Sequence, residues 1–307
     1  MHSGAGRIAR LQMRPMTLWE TGASNGKVSL AAICRGECET VLCGEVQLKR
    51  LASLITRGEW PGSLTLDDAA AALIPNQYLD AVVNDDAHRI GGKQRDTRKL
   101  RLLLRSLARH ESTTATLSTL QKDIKAADGQ DLSWRTVETY LDILERLFVI
   151  DDQPPFAPNV RSSVRVKQNP KRHFCDPSLA AALLGVTAES LLGDLKTFGF
   201  LFEALCERDL RVYAESLVGK LFHYQDYKQK EIDAVIEMPN GSWIAVDIKL
   251  GANQIDAAVQ NLLSLKAAFE KDGQRPPAQL CVLCGMSNAA YRRPDGVFVA
   301  PITSLKP

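Results

Sequence analysis

The feature that most constrains the fold is a pair of short apolar runs at 231–237 and 242–249, each carrying an aspartate. The tripeptide Pro239-Asn240-Gly241 lies between them, and such a turn predicts an antiparallel hairpin. Side chains two positions apart on a strand share a face, so Asp247 and Lys249 are expected to project together. We expect Asp233 to face them from the paired strand.

A fourth charged residue, Glu203, lies in the apolar helical stretch GFLFEALCERDL just before these strands. Carboxylate oxygens are the hard ligands that Mg²⁺ prefers. A bound metal lowers the pKa of a water molecule and neutralises phosphate charge, while a lysine can orient the nucleophile. The sequence therefore predicts a metal site of Glu203, Asp233 and Asp247 with Lys249 as the catalytic residue. The alternative is an inert network of structural charges, because one fold can host many functions.

The elements around this hairpin predict an α/β domain at 170–307. Helices and strands alternate there in an order typical of an α/β sandwich. The predicted helices are 177–184, 190–210 and 254–269, and the predicted strands are 220–225, 231–237, 242–249, 279–284 and 297–300.

The segment 98–169 is predicted to form three helices, at 98–110, 116–126 and 133–148, and this trio resembles a winged helix-turn-helix. The tract 159–173 holds five basic residues and no acid, which suits a wing against a phosphate backbone. The predicted nucleic-acid-binding residues are Arg135, Arg161, Arg165, Lys167, Lys171 and Arg172.

The candidate recognition helix itself argues against DNA binding. Three acids, Glu138, Asp142 and Glu145, outnumber Arg135 and Arg146 there, and a net negative helix is unusual in a major groove. Packing against protein is the alternative role of this module. The basic run at 89–109 is interpreted as a solvated helix face.

The first 60 residues carry too little apolar surface to close a core of their own, so we expect them to belong to a larger unit. A strand is predicted at 6–15 and helical pieces at 28–33 and 46–55. Residues 61–97 are predicted to be a helical linker that Pro75 divides and Gly91-Gly92 ends.

Composition excludes several classes of protein. The chain has 307 residues and a net charge of +2, so nucleic-acid binding would need a local basic patch. Its seven cysteines are irregularly spaced and indicate free thiols in a reducing cytoplasm. The sequence contains no run of eighteen apolar residues, so it predicts no membrane-spanning helix. No phosphate-binding loop of the type GxxxxGK[ST] is present, so this chain is not expected to bind ATP.

Two family resemblances follow from these motifs. The order Glu203, Asp233, Asp247, Lys249 resembles the PD-(D/E)XK nuclease fold, with aspartate at a place where glutamate is more usual. The stretches GRIARLQMRPMTLWETG, SWRTVETYLDILERLFVIDD, NPKRHFCDPSLAAALLG and HYQDYKQKEIDAVIE resemble bacterial AAA+-type ATP-binding proteins that end in the domain of unknown function DUF4143. The resemblance implies that residues 1–60 are the tail of a truncated ATPase domain. It also implies that ATP would bind only to a longer form.

Three functional hypotheses result. The first is a DNA-associated accessory region of an AAA+ protein whose C-terminal domain is a Mg²⁺-dependent nuclease. The second is a non-catalytic module that binds nucleic acid or protein. The third is a truncated product with no role of its own. The sequence predicts no oligomeric state.

Overall fold

The computed structural model describes residues 7–8, 11–90, 96–129, 132–227 and 230–307. The strands are β1 (Val28–Ser29), β2 (Val41–Leu42), β3 (Lys220–Gln225), β4 (Glu231–Glu237), β5 (Trp243–Lys249), β6 (Gln279–Cys284), β7 (Ala289–Arg292), β8 (Phe298–Pro301) and β9 (Leu305–Lys306). The N-terminal helices are α1 (Leu30–Arg35), α2 (Leu48–Arg57), α3 (Asp68–Ala71), α4 (Ile74–Ala81) and α5 (Ala87–Arg89). They are followed by α6 (Thr97–Arg109), α7 (Leu117–Asp128), α8 (Trp134–Arg146), α9 (Val164–Lys167), α10 (Pro177–Leu184), α11 (Ala188–Gly193), α12 (Leu195–Ser216) and α13 (Ile255–Lys271).

The centre of the fold is a mixed sheet with the strand order β2-β7-β8-β6-β5-β4-β3. β5, β6 and β8 run parallel, while the pairs β3-β4 and β4-β5 are antiparallel hairpins. The turn between β4 and β5 uses Gly241 at a φ of 76°, which glycine adopts without strain. α12 and α1 pack on one face and α13 on the other. This arrangement confirms the predicted mixed α/β class and its C-terminal strands.

The predicted helical trio is present as α6, α7 and α8. Ser133 caps α8 by accepting a hydrogen bond from the amide of Thr136 at 3.2 Å. Three extended segments complete this module through antiparallel bridges, which pair Thr113 with Arg172, Ile150 with Phe174 and Gln153 with Lys171. The segment 171–174, which follows the predicted boundary between 169 and 170, is bridged to residues that follow α6 and α8; we call α6 to α8 with these bridged segments the helical module.

The N-terminal segment differs most from its prediction. The described residues of the predicted strand 6–15 form no strand, and Ile8, Leu11 and Met13 are exposed. The predicted helix 28–33 divides into β1 and α1, because β1 pairs with β9 at the far end of the chain.

β2 joins the edge of the large sheet through β7, and Leu18 is fully buried. From Leu18 onward, therefore, the segment belongs to the core of the C-terminal half.

Candidate functional site

The four predicted site residues meet at the end of the β4-β5 hairpin. Lys249 lies at its centre, with Nζ 3.3 Å from Oδ2 of Asp233 and in contact with Oδ1 of Asp247. Nζ also donates to the carbonyl oxygen of Ile248 at 3.0 Å. Two carboxylates and one backbone carbonyl therefore surround a single point that the ammonium of Lys249 occupies. We call these three oxygen donors the oxygen cage.

A β-bulge sets the direction of Asp233. Phe222 pairs with Val235 and Tyr224 pairs with Ile232, so β4 has one residue more than β3 between the paired positions. Such a bulge bends the strand and redirects a side chain. Asp233 accepts a hydrogen bond from the amide of Ile248 at 2.7 Å, which fixes its carboxylate at the cage.

Asp247, on the neighbouring strand β5, is held by a residue of α13. Nδ2 of Asn261 donates to its Oδ2 at 3.2 Å, and the side chain of Asp247 is only 4% exposed. Asn261 was not identified from the sequence, because a polar residue on an amphipathic helix gives no signal of its partner.

Glu203 reaches the cluster from α12 but not the oxygen cage. Its Oε1 contacts Nζ of Lys171, and the same ammonium lies 3.9 Å from Oδ1 of Asp233. Lys171 therefore stands between Glu203 and Asp233. The sequence prediction that Glu203 joins Asp233 and Asp247 around one metal ion is not what the structure shows, since a second lysine separates them.

Where the helical module contacts α12, two basic residues and two acidic residues are separated by nearly equal distances. Lys171 and His173 lie two positions apart on an extended segment, and Glu203 and Glu207 lie one turn apart on α12. Two strand residues span roughly 6.6 Å and four helical residues about 6 Å, so the pairs meet in register. Lys171 contacts Glu203 and is 3.7 Å from Glu207, while Nε2 of His173 contacts Oε2 of Glu207. The sequence analysis did not identify this contact. The feature that could have indicated it is the pair Glu203 and Glu207, two acids four residues apart in an otherwise apolar helix.

His173 extends the network into the helical module. Its Nδ1 lies 3.0 Å from Oε1 of Glu111, which lies two residues before the bridge at Thr113. Burial lowers the pKa of His173, and burial raises the pKa of Glu111 to about 7. Both ring nitrogens face carboxyl groups, so this triad with Glu207 shares protons among its members.

The electrostatics of the cluster reflect an excess of acids. The carboxyls are Glu111, Glu203, Glu207, Asp233 and Asp247, against the ammonium groups of Lys171 and Lys249 and the guanidinium of Arg211, which attracts Glu207. Burial raises the pKa of Glu203 to about 8 and that of Glu207 to about 8. Burial and then repulsion by Asp233 raise the pKa of Asp247 to about 6.

Asp233 is the exception among these acids. Burial acts to raise its pKa, but the attraction of Lys249 and Lys171 and the hydrogen bond from Ile248 outweigh it and hold the pKa below its usual value. The pKa of Lys171 is raised in turn, because its three carboxylate neighbours outweigh the opposing effect of burial. The ionised core of the cluster is thus Asp233 with its two lysines.

A cleft of about 520 Å³ gives access to the cluster. Glu203 and Lys249 line it together with Lys196, Phe200, Leu250 and Met286. It opens beyond the ends of β5 and β6, and the carboxyl ends of parallel strands are the usual place for ligands in α/β sheets. The cluster therefore lies at the floor of a solvent-accessible cleft.

The predicted nucleic-acid-binding residues divide into two groups. Arg135, Arg161 and Lys167 are exposed. Lys171 is buried in the cluster, Arg172 contacts Asp152 and the carbonyl of Ala115, and Arg165 pairs with Glu237 at 2.8 Å. The prediction was wrong for these last three side chains, because the ladder and the adjoining sheet turn them inward.

The basic run along α6 is an ion-paired outer face, as interpreted from the sequence. Arg98 lies 2.6 Å from Asp128, Arg101 lies 2.9 Å from Asp80, and Arg109 lies 2.9 Å from Asp123. Lys93 and Arg95 of this run lie outside the described residues.

Comparison with known proteins connects the two halves of this site to two families. Residues 198–305 match the family model of the domain of unknown function DUF4143. This match confirms the DUF4143 part of the resemblance found in the sequence. Residues 48–190 match the model of a second domain of unknown function, DUF8612. Lys171 and His173 lie in the DUF8612 segment and Glu203 and Glu207 in the DUF4143 segment, so the cluster joins the two matched regions. A search of the curated proteins finds no match, and neither does a search of the solved structures.

Two further findings bear on ligands and location. Within the described ranges, no group of three or more His, Cys, Asp or Glu side chains is placed to hold a metal ion. None of the helices that the structure describes is long and apolar enough to cross a membrane.

Proposed function

We propose that the DUF4143 segment is a Mg²⁺-dependent nuclease site that acts on DNA. The observation that carries this proposal is the oxygen cage: Asp233, Asp247 and the carbonyl of Ile248 surround one point beside Lys249. Lys249, whose ammonium occupies this point, lines the cleft. Asp233, Asp247 and Lys249 are three of the four residues that the sequence order singled out.

The donor set of the cage suits Mg²⁺. Mg²⁺ prefers oxygen ligands, keeps several of its waters and commonly binds through one or two carboxylates together with substrate phosphate. A site with two carboxylates therefore needs no third acidic side chain. Oδ1 of Asp247 is buried and faces the ammonium of Lys249, so a cation that replaces the ammonium finds this oxygen available. Asp233, Asp247 and the Ile248 carbonyl would hold the ion, and Glu203 would not.

A bound Mg²⁺ would supply an acidified water and neutralise phosphate charge. The chain's own contribution is the placement of Lys249. Its side chain is 28% exposed, and its Nζ occupies the cage only through contacts that a cation would replace. Once displaced towards the cleft, the ammonium can hold a phosphate oxygen or orient the attacking water.

The helical module supports DNA as the substrate. The trio α6, α7 and α8 with the three bridged segments has the order of a winged helix. Arg135 at the start of α8, and Arg161 and Lys167 in the wing-like segment, present exposed cations. Such cations bind phosphates without reading sequence. Association with an AAA+ ATPase stays a prediction of the resemblance, as does ATP binding in a longer form.

A second candidate function is a non-catalytic module that binds protein. The observation that favours it is the exposed face of α8, where Glu138, Asp142 and Glu145 accompany the half-exposed Trp134, with the half-exposed Phe148 just beyond the end of the helix. On this candidate, Lys171 and Lys249 serve as permanent counterions and the acids form a structural network.

Nicking of supercoiled plasmid DNA distinguishes the two candidates. We expect the protein to nick the plasmid in Mg²⁺ or Mn²⁺ and not in EDTA. Asp247→Asn should lower the rate by at least about 100-fold, because it removes charge from the cage. Asp272→Asn is the matched control, since Asp272 is exposed at the end of α13, and it should retain full activity.

Two outcomes would count against the nuclease. Equal nicking by wild type and Asp247→Asn would indicate a contaminating enzyme. Absence of nicking together with absence of Mg²⁺ binding in a calorimetric titration would leave the non-catalytic candidate as the better account.

A further inference from the structure

We propose that the cleft binds an unpaired nucleotide of single-stranded DNA, whose base stacks on Phe200 and whose phosphate pairs with Lys196. The inference rests on the proposed function and names the form of DNA that the site takes. Three observations carry it: the order of side chains along α12, the exposed ring of Phe200, and a glycine that packing does not require.

The first observation is the order of residues on α12. Lys196, Gly199, Phe200 and Glu203 all line the cleft. Gly199, Phe200 and Glu203 follow Lys196 by three, four and seven positions, which places the four residues on one face of the helix. At a rise of about 1.5 Å per residue, Lys196 and Glu203 lie roughly 10 Å apart along the axis. This face of α12 therefore presents a cation, a gap, an aromatic ring and then the acidic cluster.

The second observation is the exposure of Phe200. The residue is 37% exposed at the wall of the cleft, and it also borders two further cavities of about 190 and 230 Å³. Its carbonyl oxygen accepts a hydrogen bond from Oγ of Ser112 at 2.9 Å, which ties this turn of α12 to the helical module. The ring therefore has open space beside it on a fixed helix. A base of any identity can stack on such a ring, because every base has a π-face.

The third observation is Gly199, which lies inside the 22-residue helix α12. Glycine in a helix interior is less stable than alanine. Apart from its chain neighbours and the helix's own backbone, no atom of the described residues lies within 4 Å of the place where a Cβ would stand. Packing within the protein thus gives no reason for glycine. Because Gly199 lines the cleft, its missing side chain leaves room for a flat group against the helix.

The charges of the cleft favour a nucleotide as its occupant. Among the described residues that line it, the charged ones are Lys196, Glu203 and Lys249. Glu203 contacts Lys171, and Lys249 is surrounded by the oxygen cage. The exposed ammonium of Lys196 is therefore the charge that the cleft offers to a ligand. One cation beside one exposed ring matches the phosphate and the base of a nucleotide. The base must be unpaired, since neighbouring bases cover both of its faces in a duplex.

DNA binding in EDTA tests the inference without cleavage. Fluorescence anisotropy of a labelled oligothymidylate of about 12 nucleotides measures the affinity. We expect Phe200→Leu to weaken this binding by about 5- to 150-fold, the contribution of one stacked base. The same variant should bind a fully paired duplex as wild type does. Phe200→Trp, which keeps a stacking surface, should bind the single strand within about threefold of wild type.

Two further variants test the cation and the gap. Lys196→Met should lower the slope of log affinity against log salt by about 0.7, the value for one phosphate of a single strand, whereas Phe200→Leu should leave the slope unchanged. Gly199→Ala should raise the melting temperature by about 2 °C. It should nevertheless weaken single-strand binding at least about fivefold, because the methyl group takes the place of the base.

Tyr227→Leu is the matched control. It removes an exposed aromatic ring that lines a different cavity, and it should bind the single strand as wild type does. The melting temperature of each variant shows whether it is folded.

The outcomes separate this inference from the function on which it rests. Absence of single-strand binding by wild type would overturn the inference, as would equal affinity in Phe200→Leu or an equal loss on single strand and duplex. Binding in EDTA needs no metal. Single-strand binding that depends on Phe200, without any Mg²⁺-dependent nicking, would therefore overturn the proposed nuclease and leave the inference intact. Nicking that Asp247→Asn abolishes, together with unchanged binding by Phe200→Leu, would do the reverse.

Discussion

The ion pair between Lys171 and Glu203 joins the helical module to the DUF4143 segment inside a buried cluster. Lys171 comes from the bridged segment 171–174, and Glu203 comes from α12, which packs on the sheet. One ammonium thereby determines which carboxyls of the cluster approach one another. It also fixes the position of the helical module relative to the cleft.

Removal of this ammonium should strongly destabilise the protein. Lys171→Met leaves Glu203, Glu207 and Asp233 without their shared cation. We expect it to lower the free energy of unfolding by about 3–5 kcal/mol, the usual cost of breaking a buried ion pair. Urea denaturation measures the change. Lys167→Met, an exposed control from the same segment, should stay within about 0.5 kcal/mol of wild type. A decrease of less than about 1 kcal/mol in Lys171→Met would mean that the cluster reorganises around water.

Stability should fall as the pH rises above neutrality. The pKa of Glu207 is raised from 4.5 to about 8. A carboxyl with a raised pKa in the folded state stabilises the fold below its unfolded pKa and loses that contribution as the pH rises through the folded value. Glu203 and Glu111 act with the same sign. The pKa of His223 is lowered from 6.5 to about 3, so its opposite effect lies below pH 6.5.

The melting temperature between pH 6.5 and pH 9 measures this dependence. We expect a decline for wild type and a shallower decline for Glu207→Gln, which cannot ionise. Asp272→Asn should follow the wild-type curve. A flat wild-type curve across this range would show that the buried glutamates are ionised at neutral pH.

The exposed and the inward-facing cations of the tract 159–173 should behave differently in DNA binding. Arg161→Ala with Lys167→Ala should weaken binding, and the slope of log affinity against log salt should fall by about 2, or about 0.9 for each phosphate that is no longer neutralised. Fluorescence anisotropy of a labelled duplex over a range of salt concentrations measures both quantities.

Arg165→Ala is the informative comparison. Its guanidinium pairs with Glu237 and donates to the carbonyl of Ala157 at 2.8 Å. We expect a decrease of about 1.5–3 kcal/mol in the free energy of unfolding and an unchanged salt slope. If Arg165→Ala altered the salt slope as much as the double variant does, Arg165 would have to leave Glu237 and contact a phosphate when DNA binds.

The N-terminal segment should resist proteolysis from Arg14 onward. Arg14 pairs with Glu215 at 2.7 Å and contacts Asp151, and the amide of Leu18 donates to Asp209 at 3.0 Å. Limited proteolysis with mass spectrometry should therefore remove residues only up to about position 13. Leu18→Ala should lower the free energy of unfolding by about 2–5 kcal/mol, because it leaves a cavity in the core. Early removal of residues 1–60 would instead support the truncated-ATPase interpretation.

Local pattern was sufficient for much of the fold and for half of the candidate site. Alternating apolar runs, a turn with Asn-Gly and helical spacing determined the hairpin β4-β5, the trio α6 to α8 and most C-terminal elements. The proximity of Asp247 and Lys249 followed from the two-residue period of a strand. Cys281 and Cys284 belong to different core clusters, because residues three positions apart on a strand face opposite sides of the sheet.

Only the tertiary structure decided which charges face one another. The bulge in β4 redirects Asp233, and no periodic rule predicts a bulge. Lys171 reads as a surface residue in a basic tract, yet docking of the bridged segment against α12 buries it among acids. β1 and β2 have two residues each, which is too short to be recognised from sequence. They form because they hydrogen-bond to β9 and β7. Such contacts depend on surfaces far apart in the chain, so local sequence determines the elements while long-range packing determines the site.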